Sequence, residues 1–131
     1  MREQKIVARF RDGRLVKGTT TNFAPGGDAF LLRPYDGGDP ERVNMEDLKA
    51  VFFVRDYMGD RGRKDKDYFV DGLPYQGRRV EIHFTDGEVL LGYTPNYNPQ
   101  MPGFFVFPAD PDCNTLKVYA VASAVKEVRL L

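Results

Sequence analysis

Val80-Glu-Ile-His-Phe-Thr-Asp-Gly-Glu-Val-Leu-Leu-Gly-Tyr-Thr-Pro-Asn-Tyr-Asn-Pro99 decides how this chain folds, because an earlier form of it stands near the N-terminus. That form is Ile6-Val-Ala-Arg-Phe-Arg-Asp-Gly-Arg-Leu-Val-Lys-Gly-Thr-Thr-Thr-Asn-Phe-Ala-Pro25. One offset, without a gap, aligns Phe10 with Phe84, Asp12 with Asp86, Gly13 with Gly87, Gly18 with Gly92 and Thr20 with Thr94. It goes on to align Asn22 with Asn96, Pro25 with Pro99, Phe30 with Phe104 and Pro34 with Pro108. A register held that long implies two copies of one structural unit.

Within the unit the pattern is that of strands. Ile6, Ala8 and Phe10 alternate with Val7, Arg9 and Arg11, so the first strand buries one face. Asp12-Gly13 supplies two adjacent residues that tolerate positive φ, which predicts a tight hairpin. The return strand, Arg14 to Thr20, places Val16, Gly18 and Thr20 inward; its glycine marks a bend or bulge. Ala29 to Arg33 reads as a third strand, with Phe30 and Leu32 inward. Glu41 to Met45 is a fourth, Glu46 to Lys49 at most one helical turn, and Ala50 to Tyr57 a strong fifth. The second copy repeats the plan with Val80, Ile82, Phe84, Leu90, Gly92, Thr94, Phe104 and Val106 inward. Its fourth strand is Leu116 to Val121, its short turn Ala122 to Val125 and its fifth strand Lys126 to Leu131. The expected fold is all-β: tandem five-stranded barrels of SH3-like or Sm-like type, or one composite barrel, with no long helix. The first repeat spans residues 1–58, a charged junction 59–78 and the second repeat 79–131. Tyr68-Phe-Val70 in the junction reads as a short edge strand.

At 131 residues and 42% apolar content the chain can build a packed core. Lys plus Arg and Asp plus Glu each number 19, so the net charge is zero, unlike a dedicated nucleic-acid binder. One cysteine, Cys113, permits no intrachain disulfide, and no apolar run approaches the length of a membrane span. A cytoplasmic, non-membrane setting is expected.

No catalytic constellation stands out, and neither enzymatic activity nor a cofactor is expected. His83 alternates outward on its strand without a ligand or base partner at useful spacing. Cys113 lacks a positioned base. Asp110-Pro-Asp-Cys-Asn114 opens like a calcium loop, but Thr115 and Val121 stand where glycine and glutamate belong, so loop turn chemistry explains it better.

Two sets of residues are candidates for binding. Lys17, Thr19, Leu31 and Arg33 on the outer face of the first copy become Leu91, Tyr93, Phe105 and Phe107 in the second. Four neighbouring apolar side chains need a cover: the first copy, the junction, or a protein partner or homodimer mate. The second set is the basic cluster Arg61, Arg63, Lys64, Arg78 and Arg79, which with neighbouring aromatics would contact a nucleic acid or cyclic dinucleotide. Phe23 and Tyr97, at the equivalent Asn-aromatic-x-Pro turns, would add a paired recognition surface.

The run from Ala8 to Asp56, with its Arg-Phe-Arg-Asp-Gly and Leu-Lys-Ala-Val-Phe-Phe-Val-Arg-Asp segments, resembles an uncharacterised bacterial domain found alone or beside signalling modules. Asn22-Phe-Ala-Pro-Gly-Gly27 is distantly similar to the turn of PilZ domains, which bind cyclic di-GMP, with Ala24 in place of serine. The Arg-x-x-x-Arg segment of PilZ proteins is absent. Together these readings imply a non-enzymatic interaction module in bacterial signalling or regulation, acting through the second repeat. The alternative is a weak nucleic-acid or cyclic-dinucleotide binder.

Overall fold

A computed structural model describes residues 3–58, 68–69, 77–95 and 97–131. The protein is all-β. The first half contributes β1 (Gln4–Phe10), β2 (Leu15–Thr20), β3 (Ala29–Pro34), β4 (Glu41–Asn44) and β5 (Leu48–Val54). The second contributes β6 (Arg78–Phe84), β7 (Val89–Thr94), β8 (Gly103–Pro108), β9 (Thr115–Val121) and β10 (Val125–Leu130). A single 3₁₀ turn precedes the last strand of each half, at Met45–Asp47 and Ala122–Ala124. No helix among the described residues is long and apolar enough to cross a membrane. Tyr68 and Phe69 are not in a strand, contrary to the expected edge strand; Val70 lies outside the described residues.

All ten strands form one antiparallel sheet that is not closed, ordered β10-β6-β7-β8-β9-β5-β1-β2-β3-β4. The halves correspond in register. Ala8 faces Val51 as Ile82 faces Val128, and Val7 faces Phe52 as Glu81 faces Arg129. Phe30 faces Val43 as Phe104 faces Ala120. Even the irregularity in the β1–β5 ladder, after Arg9, recurs between β10 and β6.

The halves meet where β5 pairs with β9, Ala50 opposite Ala120 and Phe52 opposite Val118. Because each seam strand lies between the two halves, both of its faces are buried. Val51 and Phe53 from β5 join Tyr119 and Val121 from β9 in the core around Ile6, Phe30 and Leu32. Ala50 and Phe52 join Val118 and Ala120 in the core around Val80, Ile82 and Phe104. That double burial explains why Ala50–Val54 reads as a continuous apolar run instead of an alternating one.

Two local features differ from expectation in an informative way. At each Asp-Gly turn only the glycine adopts positive φ, 96° at Gly13 and 95° at Gly87. Gly13 N donates to Phe10 O at 3.1 Å while Phe10 N donates to Arg14 O at 2.8 Å. The loop is therefore three residues closed by a left-handed glycine, not the two-residue type I′ turn, and Asp12 serves as an acceptor for Arg14 N. The strand glycines mark close approach of backbones. A Cβ on Gly18 would lie 2.2 Å from Arg33 O, and one on Gly92 2.4 Å from Phe107 O.

Candidate functional site

The four outward side chains of the second half go to different places. Phe105 turns toward the first half, where its ring lies 5.2 Å from Tyr119 and 6.2 Å from Phe53. Lys117 Nζ caps that pair at 4.8–4.9 Å from each ring. Tyr93 is buried, with the ring of Phe69 edge-on at 5.2 Å, so the junction contributes to its cover. Phe107, opposite Tyr93 in the ladder, is half-buried. Leu91 lines an open cleft.

The aromatic turn residues face inward. Phe23 makes edge contacts with Phe30, Phe53 and Tyr119 at 5.2–5.3 Å, and Tyr97 rests on Phe104 at 5.0 Å. Each ring is packed on the core of a half and is partly buried. Of the basic cluster, Arg61, Arg63 and Lys64 lie outside the described residues. Arg78 is exposed at the start of β6, and Arg79 stacks on Phe69 with its guanidinium 4.9 Å from the ring centre.

His83 Nε2 is in contact with Glu81 Oε1 on the same strand. Cys113 is buried in the turn after β8, where Asp110 Oδ1 accepts from Asp112 N at 3.0 Å and Cys113 Sγ donates to Thr115 O at 3.2 Å. Asp110 thus organises its own turn. No group of three His, Cys, Asp or Glu side chains among the described residues is arranged to hold a metal ion.

The cleft at Leu91 measures about 540 Å³ and lies between the halves. Arg9 and Phe52 come from the first half; Leu91, Pro108, Ala109 and Val118 are among the residues from the second. The Arg9 guanidinium sits 4.7 Å from the centre of the Phe52 ring. Below it Lys49, buried, pairs with Asp86 at 2.7 Å and with Glu88, both in the second half's hairpin turn. Lys49 also lies 4.7 Å from the Phe84 ring centre. The hydrogen bond from Lys49 holds the Asp86 carboxyl below its ordinary value, helped by the backbone N–H of Glu88. One side of the cleft is thereby tied across the junction of the halves. The wall of the cleft is mostly apolar.

A family model matches residues 2–131, nearly the whole chain. The chain belongs to the family of unknown function DUF6982. No curated protein and no solved structure matches it. In this DUF6982 protein the cleft was not foreseen from sequence, because it draws Arg9 and Phe52 from one half and Leu91 from the other. The available signal was Arg9 itself, a cation on a strand otherwise apolar from Ile6 to Phe10.

Proposed function

We propose that this protein is a non-enzymatic binding module that holds a protein partner at the cleft between its halves. The observation that carries this reading is the fate of the apolar outer face of the second half. Phe105 and Tyr93 are covered from within the chain, whereas Leu91 continues into a cleft whose wall ends in half-exposed Val89 (49%). Apolar surface that a fold leaves uncovered beside a fixed charge is suited to recognition. A binding role, as against catalysis, is supported by the chemistry of the wall. The Cys113 thiol donates to a backbone carbonyl, and His83, opposite Val89 on the neighbouring strand, is in contact with Glu81.

Peptide selection on the immobilised protein tests this reading. Selected sequences are expected to shift the amide resonances of Leu91, Ala109 and Thr115, and to lose binding in Leu91→Lys while the melting temperature is kept. Peptides that map elsewhere, or that bind Leu91→Lys equally, would refute it.

A further inference from the structure

We infer that the cleft selects an acidic side chain beside an apolar one on the partner's peptide segment, with Arg9 reading the carboxylate. This rests on the cleft being the protein-binding site. A guanidinium offers five N–H donors, and stacking on Phe52 uses its face while leaving its edges to donate. The nearest carboxylate oxygen in an ion pair with it is on Glu88, at 4.0 Å, beyond hydrogen-bond range. Glu88 is itself engaged by Lys49. Arg9 Nε is buried and has no acceptor among the described residues, but the side chain is 42% exposed, so its terminal N–H groups are the donors within a ligand's reach. Asp110, the other charged group on the wall, accepts from its own turn.

The requirement is therefore for an acceptor with negative charge at the Arg9 end and an apolar group against Leu91 and Val118. A carboxylate meets a guanidinium fork in two parallel hydrogen bonds, which a neutral amide cannot match. The apolar wall ends at Val89, about half of which is exposed, so the cleft opens to the surface there and leaves room for a peptide chain to run on.

The test compares acetyl-Gly-Leu-Asp-Gly-amide with its isosteric Asn counterpart, titrated at millimolar concentration and followed by amide shifts at Leu91, Ala109 and Thr115. The Asp peptide is expected to bind the wild-type protein about tenfold more tightly. That preference should shrink with added salt, persist in part in Arg9→Lys and vanish in Arg9→Met, which keeps the stem over Phe52. Equal binding of the two peptides to wild type would overturn the role of Arg9 and leave the cleft standing. Absence of shifts in the cleft with either peptide would overturn both this inference and the protein-binding reading. Because the decisive comparison is made on the wild-type protein, it holds even if an Arg9 variant folds poorly.

Discussion

The strands that join the halves and the strands that end the sheet are the same two strands of the unit, used differently. β5 and β10 occupy equivalent places, as do β9 and β4. At the seam, β5 presents Ala50 and Phe52 where β10 presents Glu127 and Arg129, and β9 presents Tyr119 and Val121 where β4 presents Arg42 and Asn44. A seam strand must satisfy two cores, so both of its faces are apolar. An edge strand serves one core and must refuse further pairing. Charges on its outer face, and Pro40 just before β4, achieve this because a new partner strand would have to bury them. β4 also offers four residues where β9 offers seven, and Pro40 has no N–H to donate, so backbone and side chains together discourage a further strand.

The most damaging way to break the comparison is to write edge chemistry into the seam. Ala50→Glu copies the residue found at the equivalent edge position, Glu127. It would bury a carboxylate beside Ala120 and opposite Arg9 on β1, at an expected loss of about 3 kcal/mol in urea unfolding. Glycine comes next. Gly18→Ala and Gly92→Ala each push a Cβ into a carbonyl oxygen of the neighbouring strand, so each should cost about 1–3 kcal/mol and by similar amounts. A large inequality between them would show that the halves are less alike in packing than in register.

The reverse exchange should barely change stability. Glu127→Ala with Arg129→Phe gives β10 the outer face of β5, and the expected change is concentration-dependent association in light scattering, with monomer stability within about 0.5 kcal/mol. A variant that stays at monomer mass at every concentration would mean that charge is not what protects this edge.

The smallest effect is a pH dependence at the tie between the halves. The folded-state value of Asp86 is lowered by Lys49, so its contribution to stability is present above the ordinary carboxylate value and is lost as pH falls through the depressed one. Lys49→Met should flatten that part of the acid limb of a stability–pH curve. Because Asp86 is solvent-exposed, the difference at neutral pH should be under about 1 kcal/mol. An unchanged acid limb would place the dependence on other carboxylates.

Local physics made the strands legible in the sequence. Ile6, Ala8 and Phe10 alternate in the chain and are buried together; so are Phe30 with Leu32, and Phe104 with Val106. Asp-Gly was readable as a turn, but its loop length was not, since Asp12 acts through its side chain and only Gly13 needs positive φ. The seam was hidden because β5 and β9 are far apart in sequence and their pairing has no local signature. The uninterrupted apolar run Ala50–Val54 was its one trace. For the same reason Tyr93 and Phe105 read as an open face although Phe69 and the first half cover them. The cleft was the least legible feature. Arg9 and Leu91 become neighbours only when the seam is in place.

Amide hydrogen exchange tests the seam most directly. If β5 and β9 hold two cores at once, amides such as Val51 and Ala120 should open only with the whole molecule, and amides of β4 and β10 should exchange faster through local opening. Exchange at Val51 and Ala120 as fast as at Val43 and Val128, with the halves unfolding separately, would contradict a single sheet built through its middle.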